Sequence, residues 1–104
     1  MSWIILIVAG LFETAWALAL KESHGFSKPG PTTVFVATLV VSMALLAVAL
    51  RDLPVGTGYA VWTGIGAVGT AAAGMLWFGD PAVARRIVPI GLIAIGIVWL
   101  SLAE

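Results

Sequence analysis

The chain has 104 residues, 62% of them hydrophobic and 10% charged, with no net charge and a mean hydropathy of +1.14. No water-soluble domain of this size stays in solution with that composition, so its solvent is lipid. Zero net charge without a basic run excludes an electrostatic footprint for nucleic acid, and a chain without cysteine has neither disulfides nor thiolate metal sites.

Four apolar segments run about 3–20, 34–50, 58–78 and 87–102. Each holds about 16 to 21 residues, which at about 1.5 Å per residue just spans a hydrocarbon core of about 30 Å. The expected fold is therefore all-α and integral to the membrane, a single domain (1–104) of four transmembrane helices. The breaks carry turn signals: Lys21-Glu22-Ser23-His24-Gly25 with Pro29-Gly30-Pro31, then Arg51-Asp52-Leu53-Pro54, then Gly79-Asp80-Pro81. His24, the only histidine, reads as a solvated loop residue. Met1-Ser2-Trp3 lacks the positive region of a cleaved signal, so the first segment reads as a retained helix. No stretch outside the spans is long enough to fold, and no phosphate-cradling motif is present, so the chain is expected to be no enzyme and to hold no cofactor or metal. Lys21, Lys28, Arg85 and Arg86 fall on one side and Arg51 on the other, a count that favours both termini outside.

The first segment carries the chemistry. Glu13 lies ten residues beyond Trp3 and eight before Lys21, too deep to reach either surface. An ionised carboxylate there costs roughly 2.5 kcal/mol or more, so such a residue is functional by default, binding cations and exchanging protons. The alternative is a protonated Glu that only donates a hydrogen bond between helices. Ala9, Gly10, Trp16 and Ala17 share its face at three- and four-residue steps, small residues leaving room beside the carboxylate. Trp16 is expected to donate its indole N–H to Glu13 or to offer a ring face to a cation.

In the second segment Ser42 stands nine residues from both Thr33 and Arg51, again mid-membrane. Its hydroxyl can donate to Glu13, serve a helix contact or bond its own helix. The third segment places Tyr59, Trp62, Gly66, Gly69 and Ala73 on one face, aromatic grading to small, with Tyr59 and Trp62 as candidates to stack on a cation. Gly64 and Gly66 are candidate hinge positions. The fourth segment has no charge, and Gly91, Ala94 and Gly96 mark it as a packing helix for a dimer. One carboxylate per chain and no internal inverted repeat point to at least two copies, and two chains in opposite orientations would supply the missing half.

Met1 to Lys21 with Glu13 and Trp16, and the run Leu53-Pro-Val-Gly-Thr-Gly-Tyr-Ala-Val-Trp-Thr-Gly-Ile-Gly66, closely resemble the Small Multidrug Resistance family, the Trp three residues after the Glu resembling its guanidinium exporter subtype. The resemblance covers the whole chain. It implies an antiparallel, dual-topology dimer in the bacterial inner (cytoplasmic) membrane that exchanges guanidinium-type cations for protons at a site shared by two copies of Glu13. Gly10, Trp16, Ser42, Tyr59 and Trp62 match positions lining that site, with Trp16 and Ser42 as expected partners of the carboxylate. The bottom-up reading supplies a reason: guanidinium is planar and offers parallel N–H pairs to a carboxylate.

Three positions depart from the family's pattern. Ser101 stands where a basic residue is usual, which opens pairing with an oppositely oriented paralogue. Gly58 stands where Ala is commoner, and Thr14-Ala15 is smaller than usual, leaving room for substituted guanidines. The competing readings are the same fold exporting quaternary ammonium or aromatic cations, a rotor-ring subunit of an ATP synthase, and a purely structural subunit.

Overall fold

The computed structural model describes residues 1–103 as four helices: α1 (Ser2–Glu22), α2 (Pro29–Ala49), α3 (Val55–Trp77) and α4 (Ala84–Ala103). All four are long and apolar enough to cross a membrane. They start or stop outside the apolar segments because capping chemistry, not hydropathy, sets helix ends. Lys28, extended as a residue before proline must be, leads into Pro29 and Pro31 in the first turn of α2, where no N–H is needed. Pro54 opens α3, and the N–H of Gly58 returns to its carbonyl at 2.9 Å.

Helix α1 lies against both α2 and α3, whereas α4 touches only α3, so the chain is a slab of 41 × 34 × 17 Å. The core is Leu6, Ala9, Leu46, Ala49, Val61 and Trp62, where the first three helices meet. Short side chains at the crossings let the backbones approach, which substitutes for the missing aqueous driving force in lipid. Gly58 is one such seat: a Cβ there would overlap the Leu50 side chain at the end of α2.

Two turns need positive φ. His24, Gly25 and Phe26 all adopt it between α1 and α2, held by the buried Ser23, whose hydroxyl donates to Leu20 O (2.6 Å) and accepts from Phe26 N–H (3.1 Å). His24 itself is exposed. Gly79 (φ +73°) reverses the chain after α3, letting Asp80 N–H reach Gly74 O at 3.0 Å. The two ends of the bundle are distinct. Ser2 donates to Asp52 (2.9 Å) at one, and Lys21 lies 5.7 Å from the Phe78 ring centre at the other.

The fourth helix buries no residue within the chain. Gly91 and Gly96 face open space, and the contact with α3 is made instead by Ile93 and Ile97 against Gly64. Gly64 and Gly66 lie inside one continuous helix and are seats for side chains of α4 and α1 respectively.

Candidate functional site

Glu13 is held at the crossing of α1 and α3. Its side chain lies directly over Gly66, where α3 presents only backbone; a Cβ there would overlap the carboxylate and stand 2.7 Å from Cγ. One residue on, Thr14 fills the equivalent seat at Gly69 and donates to Gly66 O at 3.3 Å. Neighbouring residues of α1 thus pin the same stretch of α3, and the two glycines, three residues apart, are what bring the helices close enough. Thr14 serves this seam and does not line the space beside the carboxylate. Within one chain, then, neither Thr14 nor Ala15 lines that space.

That space is a cavity of about 430 Å³ lined from α1 by Glu13, Trp16 and Ala17, and from α3 by Thr63, Gly66, Ala67, Thr70 and Ala71. Asp80 and Arg86, from the α3–α4 turn and the start of α4, complete its wall. Glu13 Oε1 and Trp16 Nε1 are both buried and have no hydrogen-bond partner among the described residues. A buried donor or acceptor without a partner costs about 1–3 kcal/mol, and both of these atoms belong to residues that line the cavity. Trp16 is fixed by its ring, which meets Phe35 of α2 edge-on at 5.9 Å, and Phe35 in turn meets Phe26 at 5.4 Å.

The remaining expected residues fall elsewhere. Ser42, buried on α2, donates to Ala9 O (2.7 Å) and accepts the indole N–H of Trp62 (3.0 Å). Its hydroxyl is thereby engaged within the chain and bonds a helix backbone and an indole, not Glu13. Of the roles open to Ser42, the one held within a single chain is the helix contact. Ala9 lies one turn before Glu13, so this chain of bonds sets the depth and rotation of α1 relative to both neighbours. Tyr59 is exposed and rests on Trp62, with ring centres 5.5 Å apart. Gly10 is a packing seat as well: a Cβ there would stand 2.7 Å from Ile65 Cγ2. Within one chain, then, only Glu13, Trp16 and Gly66 of the expected site and hinge residues border the cavity.

Replacing Ser42 with Ala leaves the Trp62 N–H buried without an acceptor. We expect Ser42→Ala to lower stability by about 1–2 kcal/mol, read by equilibrium unfolding in mixed micelles. An unchanged unfolding midpoint would refute this role.

The cavity also includes residues that the sequence motifs do not single out: Thr63, Ala67, Thr70, Ala71, Asp80 and Arg86. The four helical positions recur at steps of three and four, or one apart, and form one small, partly hydroxylated stripe on α3. Helical periodicity is the signal that could have found that stripe. The fold-back of Asp80 onto Gly74 leaves no such signal, because it depends on the turn.

Comparison with known proteins agrees with this architecture. A guanidinium exporter of Escherichia coli (strain K12) is 53% identical over 103 residues, covering 99% of this chain and 98% of that protein. Guanidinium exporters of Salmonella typhimurium (strain LT2) and Citrobacter freundii are each 52% identical with the same coverage. The family described as Small Multidrug Resistance protein matches residues 1–93, and with a mid-membrane carboxylate seated between short spans, the chain belongs to the Small Multidrug Resistance family.

Proposed function

We propose that this protein is a proton-coupled antiporter of the bacterial inner membrane that exports guanidinium and small substituted guanidinium cations, with Glu13 binding protons and substrate in turn. The observation that carries this reading is a mid-span carboxylate, Glu13, that lines one cavity together with Trp16 while its Oε1 and the Trp16 N–H find no partner among the described residues. A planar cation can give its parallel N–H groups to the carboxylate in place of water. The Trp16 ring then supplies an aromatic surface beside the charge. Occupancy by a proton excludes the cation, and that competition, joined to alternating access, couples outward movement of one to inward movement of the other. The guanidinium exporters at 52–53% identity support the choice of substrate.

The working unit in this reading is an antiparallel pair, either two copies of this chain or this chain with an oppositely oriented paralogue. A slab 17 Å thick leaves the face of α4 turned away from α3 uncovered, with an apolar groove lined by Ala94, Ile95, Val98, Trp99 and Leu102. Gly91, Ala94 and Gly96 are its close-approach positions. A second copy facing the first would bring the two Glu13 side chains, with Trp62, Tyr59 and Ser42 behind them, to one chamber. Bending of α3 at Gly64 and Gly66 is the proposed means of exposing that chamber to either side.

The test is electrical. Purified protein in proteoliposomes on a solid-supported membrane is perfused with guanidinium and then with tetrapropylammonium. Currents with guanidinium support the proposal. Currents with the quaternary ammonium alone would move the chain to multidrug export, and none with either would leave it a structural subunit or half of a heteromeric pair.

A further inference from the structure

The cavity around Glu13 has a second carboxylate at its far end. Asp80 is carried there by the turn at Gly79, and its side chain lies against Gly74, where a Cβ would overlap Oδ2 and stand 3.2 Å from Cγ. Glu13 sits over Gly66 and Asp80 over Gly74, eight residues apart on one continuous run of α3. At about 1.5 Å per residue the two levels are separated by roughly 12 Å. No single guanidinium bridges that distance. Between them the floor is Ala67, Thr70 and Ala71, small residues that leave a passage and offer a hydroxyl along it.

Arg86 stands at the same end. Its Nη2 is 4.0 Å from Asp80 Oδ2, and both side chains are 38% exposed. An ion pair that long and that wet is weak and readily exchanged. The group on Arg86 is itself a guanidinium, chemically the same headgroup as the proposed substrate, and it rests against the one other carboxylate of the cavity lining. A free guanidinium can take its place with the same geometry and without new chemistry.

We propose that Asp80 is a capture site for cationic substrate at the mouth of the Glu13 cavity, and that Arg86 is its built-in competitor, displaced when substrate arrives. This inference rests on the export function proposed above. The pair acts on how readily a cation reaches Glu13, while Glu13 itself carries the exchange.

The test measures guanidinium-evoked currents over a concentration series for wild type, Asp80→Asn, Arg86→Gln and the double variant. Asp52→Asn serves as control, since Asp52 bonds Ser2 at the opposite end of the bundle and does not border the cavity. Loss of Asp80 is expected to raise KM about two- to five-fold, with the larger part of the effect in KM rather than in maximal current, and loss of Arg86 to lower KM by a similar factor. In the double variant the Arg86 effect disappears, because nothing remains to compete for. Asp80→Glu, with gel filtration to confirm the folded protein, should keep KM near the wild-type value. An unmoved KM in Asp80→Asn, an equal rise in Asp52→Asn, or an Arg86 effect that persists without Asp80 would each overturn the capture site while leaving the export function standing. A wild-type protein with no guanidinium current would overturn both.

Discussion

Glu13→Gln is expected to abolish substrate-dependent current, since a charge-assisted contact worth roughly 1.5–3 kcal/mol, or about ten- to hundredfold in affinity, is lost together with the exchangeable proton. The amide keeps the length and shape of the carboxyl group, so it still fills the seat over Gly66 and the helices remain in place. What it lacks is charge at any pH. It can neither hold a cation by ionic hydrogen bonds nor release a proton in exchange for one. Glu13→Asp should retain a fraction of the activity, because the charge survives but its shorter side chain draws back from Gly66. The readout is the current in proteoliposomes, with gel filtration showing that the variant is folded. Guanidinium currents that persist in Glu13→Gln would end the proposal that this residue carries the exchange, and would favour a structural role for a protonated Glu.

The second large effect is expected at Gly66. An Ala there places a methyl group where the Glu13 carboxylate lies, at 2.7 Å from its Cγ. Two adjustments relieve the overlap, and both are harmful. Either Glu13 swings off α3 and out of its position beside Trp16, or α1 moves away from α3 and loses the Thr14 contact to Gly66 O. Overpacking of this kind costs about 1–3 kcal/mol. We expect Gly66→Ala to reduce transport at least about tenfold, because even a shift of about 1 Å in a binding group can have an effect of that order or larger. Gly56→Ala, in the first turn of the same helix with nothing within 4 Å of the added carbon, should be close to neutral. Equal behaviour of the two variants would show that the Glu13–Gly66 contact does not position the carboxylate. A Gly66→Ala protein that transports less but unfolds like wild type would separate positioning from stability.

These expectations bear on how the family's site is built in this chain. The cavity beside Glu13 in one copy is made chiefly of α1 and a stripe of small residues on α3. The aromatic pair Tyr59 and Trp62 and the hydroxyl of Ser42 lie outside it, and two of the three belong to the bond network that orients α1. A variant of Trp62 therefore changes the support of the site as well as any surface it presents to substrate. In the proposed antiparallel pair, each copy would also bring one Asp80–Arg86 pair, so that capture is available at both faces of the membrane.

The sequence by itself determined the solvent, the number of spans and the depth of the charge. Hydropathy over four segments of membrane-spanning length leaves no alternative to four helices in lipid, and Glu13 is singled out because no other acidic residue lies so far from a surface. Turn chemistry at Pro29, Pro54 and Gly79 is also legible there, since it depends on backbone rules that act over a few residues. Tertiary structure alone decided what each mid-membrane group touches. Ser42 and Glu13 share a depth, but depth does not fix rotation about a helix axis, and in the folded chain the hydroxyl turns to Ala9 and Trp62. Gly66 has the sequence character of a place to bend, and that it is also the seat of the carboxylate follows only from the helix crossing. Asp80 has the character of a loop residue, and only the reversal at Gly79 brings it back over Gly74 to the mouth of the Glu13 cavity. Local pattern fixes what a residue is able to do. Which neighbour receives it is set by how the helices rotate and cross, and that depends on the fit of all their side chains at once.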